Sequence, residues 1–265
     1  MPRKGLYVLP SLFTAGNLVS GFVSIIYAIE GNFNASAWFI MLAIAFDMFD
    51  GRIARLTKTT SKFGMEFDSL CDLVSFGVAP AMLMYLMVLK HMDKVGIAIA
   101  VLFVITCATR LAKFNVKAME PVDPNKPAMD SFSGLPTPAA AGIIGAFVLS
   151  YEIFDGAVLT AKTIPLLMKK MPFFFDAMPI IMILISFLMV SNLPYSAFKK
   201  MKLSKPKSMQ FFILVIVMLI LIFTYPQNMF FIIFFGYALS GIIVYVIRYY
   251  RMRAVLRKNK NKDGI

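Results

Sequence analysis

The sequence predicts an all-α protein, a polytopic transmembrane helical bundle, and three observations carry that prediction. Of 265 residues, 59% are hydrophobic and 15% charged, where soluble domains carry about a quarter charged residues. Mean hydropathy is +0.76. Apolar runs repeatedly reach the length of about 20 residues that crosses a hydrocarbon core as a helix. Backbone groups in lipid have no water to bond, so each run is expected to be helical.

The pattern predicts eight spans, near 9–29, 35–56, 65–89, 94–115, 136–154, 173–191, 208–224 and 228–248. The first follows Arg3 and Lys4 and stays apolar without a small-residue cleavage site, so it reads as a retained span and not a removed signal. The second and third carry most of the intramembrane acids. The fourth ends in Arg110, Lys113 and Asn115. Segment 118–135, with Pro121, Pro124 and Pro127, reads as a loop. The fifth opens at Gly134-Leu-Pro-Thr-Pro, a helix start with proline in its first turn. The last three are rich in Phe, Ile, Leu and Met and suit a lipid-facing or dimer-facing position, and a basic tail occupies 249–265. The expectation is one domain over 1–265, with a core of about 9–191 and additional spans over 208–248.

Lysine and arginine fix the expected topology. With both termini in the cytoplasm, 22 of the 27 basic residues fall on the cytoplasmic side, as the positive-inside rule requires. The net charge of +13 sits in short blocks between apolar spans. That pattern fits anionic lipid headgroups as partners and not nucleic acid. Cys71 and Cys107 lie inside apolar runs and read as packing residues, and His91 reads as a solvated interface residue.

The chemistry is carried by Asp47, Asp50, Asp68 and Asp72, with Glu66 beside them. A carboxylate at membrane depth costs several kcal/mol and marks function by default. Asp47 and Asp50 are three apart and Asp68 and Asp72 four apart, so each pair shares a helix face. A short polar connection joins the two spans, which are expected to pack antiparallel with the pairs facing each other. Arg52 and Arg55 could neutralise one or two of these acids but not all of them. A divalent cation, Mg²⁺ or Mn²⁺, is the expected remedy, completed by substrate phosphate oxygens. Gly51, Ala54 and Gly64 lie among the acids and remove bulk where a nucleotide or a neighbouring backbone comes close. Arg55 offers a planar fork to phosphate or carboxylate.

Residues 47–72 read DMFDGRIARLTKTTSKFGMEFDSLCD. This run resembles the CDP-alcohol phosphotransferase signature, D-x-x-D-G-x-x-A-R-x(8)-G-x-x-x-D-x-x-x-D, and matches it at every specified position. The resemblance implies transfer of a phosphatidyl-type group from a CDP-linked lipid to an alcohol, with release of CMP. It further implies that Asp47, Asp50 and Asp68 hold one or two divalent ions on the pyrophosphate. Asp72 would share the metal site and act as general base. Asp47, Asp50, Gly51, Ala54, Gly64 and Asp68 would form the nucleotide site, and a homodimer in the inner membrane with its active site facing the cytoplasm would be expected.

The signature does not choose the acceptor. Two further runs, Thr109-Arg-Leu-Ala-Lys-Phe-Asn115 and Phe132-Ser-Gly-Leu-Pro-Thr-Pro-Ala-Ala-Ala141, are similar to those of the serine-using bacterial branch, as is Pro10-Ser-Leu-Phe-Thr-Ala-Gly-Asn17. That likeness implies CDP-diacylglycerol and L-serine as substrates. The serine carboxylate wants a cation, and Arg110 and Lys113, with Asn115 as polar neighbour, are the candidates. The same cations would equally suit a lipid phosphate or an anchor at the interface. Glycerol phosphate or an inositol phosphate is the alternative acceptor within the family. A cation transporter built on the acidic cluster is the alternative class; it would need repeat symmetry, and the second half has no matching cluster.

Overall fold

Polar caps and tight turns cut the apolar sequence into helices. The computed structural model describes residues 8–57, 61–119, 131–155, 173–196 and 226–260, with isolated helical positions at 216, 220 and 224. Helix α1 spans Val8–Ile29 and α2 spans Phe33–Thr57. Between them, Asn32 Oδ1 accepts from the Ala35 N–H at 3.1 Å, satisfying one donor that a helix start leaves open. Helix α3, Lys62–Asp72, begins in the same way, with Ser61 Oγ accepting from the Gly64 N–H at 2.9 Å. It continues through a π-helical turn, Leu73–Val78, into α4, Ala79–Met87. The expected third span is therefore one rod over Lys62–Met87. A 3₁₀ turn, Leu89–Met92, leads into α5, Asp93–Met119. Helices α6 (Thr137–Asp155), α7 (Phe173–Val190) and α8 (Pro226–Lys260) follow.

Among the described residues, five helices are long and apolar enough to cross a membrane: Leu12–Ile29, Phe33–Ile53, Lys62–Met87, Leu89–Met119 and Met229–Val246. Two shorter apolar helical stretches, Thr137–Ser150 and Phe175–Val190, coincide with the expected fifth and sixth spans. The expected span at 208–224 lies outside the described residues, apart from the isolated helical positions. The chain is an integral membrane protein by this helix content.

Helix α6 is the centre of the bundle. Every residue from Ala139 to Ser150 is buried, as an all-round apolar helix must be when other helices surround it. It packs between α2 and α8, while α1 lies along α2 and α5 along α7. Phe76, Phe103, Ile40, Ile143, Ile144 and Leu149 are among the largest fully buried side chains.

The third span departs from the simple side-by-side pairing with α2 that the short connection suggested. Helix α2 meets it through the π turn and α4, whereas α3 leans on α1 and α5. A close contact between α1 and the π turn accompanies this arrangement. A Cβ on Gly21 would fall on the Ser75 backbone, so only glycine permits this approach. Ser75 Oγ then donates to the Asn17 carbonyl at 2.9 Å. Helices α2 and α3 are held apart at the end that bears the acids, and a pocket opens there.

A small ladder interrupts the all-helical pattern. Strands β1 (Ser131–Ser133) and β2 (Pro194–Ser196) pair antiparallel, Phe132 opposite Tyr195. Part of the expected 118–135 loop is thus extended and paired; three residues are too few to show an alternating pattern in sequence. Gly134 follows at φ +83°, with its N–H donating to the Leu193 carbonyl at 3.0 Å and the Leu135 N–H to Leu188 at 2.9 Å. A side chain at Gly134 would strike the Met189 carbonyl. The start of α6 is thereby tied to the end of α7.

Candidate active site

Asp47 comes from α2, and Asp68 and Asp72 from the last turns of α3. The structure brings these three together, with one carboxylate oxygen of each within 4.8 Å of the others. They line a pocket of about 470 Å³, together with Met48, Gly51, Arg52, Met65, Ser69, Arg110, Leu111, Phe114, Asn115, Thr137 and Pro138.

Each acid has a different partner. Asp72 is buried, and its Oδ1 accepts from Asn17 Nδ2 at 2.8 Å. Asp50, also buried, accepts at Oδ2 from the Thr14 hydroxyl and stands outside the trio. Asp68 Oδ1 is buried without a hydrogen-bond partner among the described residues. Leaving such an oxygen unpaired is costly, and two further carboxylates beside it raise the cost. The three oxygens form a hard, anionic donor set of the kind that holds Mg²⁺ or Mn²⁺, so the residues present fit a divalent ion.

Sequence reasoning missed the α1 contribution. Thr14, Asn17, Ser20 and Ser24 are all buried, and their spacing of three, three and four places them on one face of an otherwise apolar helix. That polar stripe was the available signal. Asn17 and Thr14 use it to reach the acids, and Ser24 meets Ser36 of α2 at 2.9 Å.

The cationic side of the pocket is Arg110 on α5. Its Nη1 donates to Thr137 Oγ1 at 3.2 Å, and its Nε is buried without a partner among the described residues. Asn115, also on α5 and buried, donates from Nδ2 to Glu66 Oε2 at 3.1 Å and accepts at Oδ1 from Ser69 Oγ at 3.1 Å. Lys113 points elsewhere; it is exposed and is not part of the pocket wall. Gly51 lines the pocket, while Gly64 sits exposed in the first turn of α3 and is not part of that wall. Ala54 and Arg55 lie in the last turn of α2, and their side chains fall outside the described residues. Cys71 and Cys107 are buried free thiols, as packing residues should be.

The family model for CDP-alcohol phosphatidyltransferases matches residues 7–169, which include every residue of this pocket. The chain belongs to the CDP-alcohol phosphatidyltransferase family. It is 37% identical over 264 residues to a CDP-diacylglycerol–serine O-phosphatidyltransferase of Helicobacter pylori strain J99, covering 98% of this chain and all of the relative. A Bacillus subtilis protein of the same description is 32% identical over 165 residues, 62% of this chain and 89% of the relative. An archaetidylserine synthase of Methanothermobacter thermautotrophicus is 38% identical over 144 residues, 54% of this chain and 58% of the relative.

Proposed function

We propose that this membrane-bound family member transfers the phosphatidyl group of CDP-diacylglycerol to the hydroxyl of L-serine, giving phosphatidylserine and CMP. The observation that carries the proposal is the convergence of Asp47, Asp68 and Asp72 in one pocket of a chain similar over nearly its whole length to a protein named for that reaction.

In this reading Asp47, Asp68 and Asp72 hold Mg²⁺ or Mn²⁺, and Asp50, anchored by Thr14 through Oδ2, offers its other oxygen. A bound divalent ion would neutralise the pyrophosphate and stabilise the leaving phosphate. Gly51 makes room for the nucleotide at the pocket wall, and Ala54 and Gly64, which follow it in sequence, do the same beside it. Arg110 aims its guanidinium into the pocket, where it suits the serine carboxylate or a lipid phosphate. Asp72, oriented by Asn17, takes the proton of the serine hydroxyl. The freed oxygen bonds to the phosphorus that carries diacylglycerol, and the bond from that phosphorus to CMP breaks. The chain acts as a single domain, as a homodimer in the inner membrane, with the pocket open to the cytoplasm and the tail 249–265 against anionic headgroups.

The test is CMP release from CDP-diacylglycerol in detergent micelles, with L-serine, glycerol 3-phosphate or inositol phosphate as acceptor, with and without EDTA. Release with serine alone, abolished by EDTA and restored by Mg²⁺ or Mn²⁺, is the expected result. Release with another acceptor and none with serine overturns the assignment. Metal uptake into proteoliposomes without CMP formation would replace it by transport.

A further inference from the structure

One acid beside the pocket has no part in the chemistry above. Glu66 lies on α3, exposed, and its Oε2 accepts from Asn115 Nδ2 at 3.1 Å. The carboxylate can only accept, so it fixes the amide with its nitrogen towards Glu66. Asn115 Oδ1 is correspondingly turned to Ser69 Oγ at 3.1 Å. Both Asn115 and Ser69 line the pocket. Glu66 and Ser69 are three apart and share a face of α3; Asp68 and Asp72 occupy the adjoining face. The metal-holding acids thus pass, through Ser69, to a second and separate negative charge.

We infer that Glu66 recognises the ammonium group of a zwitterionic acceptor, held in place by Asn115, and so determines acceptor specificity. The inference rests on serine being the acceptor. Arg110 lines the pocket as a cation, and Glu66 stands as an anion at its margin, bonded to the pocket-lining Asn115, a pair that matches an amino acid carrying both charges. An alcohol phosphate has no ammonium and would bring a like charge to Glu66, a repulsive element of the kind that separates related ligands. Asn115 Oδ1 retains a second lone pair, which makes the amide a further acceptor for the ammonium.

A merely structural role, tying α3 to α5, predicts something different, and Glu66→Gln separates the two. Glutamine keeps an oxygen for Asn115 Nδ2 and loses only the charge. The measurement is kcat/KM for L-serine and for 3-hydroxypropionate, which is serine with hydrogen in place of the ammonium. The variant should lose roughly 10- to 100-fold with serine, as expected when a charge-assisted hydrogen bond goes, chiefly through KM. Its activity with 3-hydroxypropionate and its KM for CDP-diacylglycerol should not change. L-Alanine, which keeps the ammonium but has no hydroxyl, should inhibit the variant correspondingly more weakly. Equal loss with both acceptors, or no loss with serine, overturns this inference while leaving the acceptor assignment intact. Absence of serine-dependent CMP release from the unsubstituted enzyme overturns the acceptor assignment and this inference with it.

Discussion

Asn17 and Asp72 are 55 positions apart in sequence, on α1 and α3, and meet at 2.8 Å, which makes their bond a sensitive place to test the proposed base. Asp72→Asn preserves shape and leaves an amide oxygen to accept from Asn17 Nδ2, so the bundle should fold normally. It removes the group proposed to take the hydroxyl proton, a contribution of about 10²- to 10⁴-fold. The expected outcome is near-complete loss of CMP release with divalent-dependent nucleotide binding retained, checked by CDP protection in a thermal-shift assay. Retained turnover would remove Asp72 from the role of base. The four aspartates were legible because acids are out of place in apolar spans and their spacing repeats the helix period. Which three share a centre was not legible. That Asp50 turns to Thr14 depends on the rotation of α1 against α2, and no pattern within residues 47–72 encodes it. Lys113 was unreadable for a related reason: three residues from Arg110 on one helix, it nevertheless stays exposed in the last third of α5, outside the pocket wall, where a long charged side chain finds water more easily than a buried pocket.

At the scale of elements, the spans were readable from length and polarity, and α2 runs within two residues of its expected limits at 35 and 56. The π turn at Leu73–Val78 was not. Its residues, LVSFGV, carry the apolar signal of any membrane helix, and the change from α to π geometry occurs where the segment packs against α1 and α5. The same turn immediately follows Asp72, in keeping with the frequent siting of π bulges at functional positions. Gly21 is the point on which this packing depends. Gly21→Leu would drive a side chain into the Ser75 backbone, where the obstacle is main chain and cannot rotate away. Overpacking of this kind costs about 1–3 kcal/mol, and here it would also push the third span off α1. The expected result is a lowered Tm together with lost turnover. Gly236→Leu, where a Cβ meets nothing within 4 Å, serves as the control and should leave both unchanged.

For the whole molecule, orientation in the membrane follows from charge and can be read independently of activity. Arg52 lines the pocket and Lys62 and Lys113 are exposed near the same helix ends as the aspartates, whereas Lys90 and Lys94 border a separate surface pocket with Tyr85 and Asp93 at the α4–α5 connection. Along helix α5, Lys94 and Lys113 are about 19 residues apart, about 29 Å at 1.5 Å per residue, close to the thickness of a hydrocarbon core and enough to put the two groups at opposite membrane faces. The positive-inside rule assigns the richer group to the cytoplasm. With Cys71 and Cys107 replaced by alanine, Lys113→Cys and Lys90→Cys give one reporter at each end of this helix. A membrane-impermeant maleimide added to intact cells should label Lys90→Cys and spare Lys113→Cys, and inside-out vesicles should reverse the result. Labelling of Lys113→Cys in intact cells would place the aspartate pocket on the outer face. That outcome would separate the site from the side where CMP and serine, charged and slow to cross lipid, would have to be exchanged, and the charge-based orientation would fall with it.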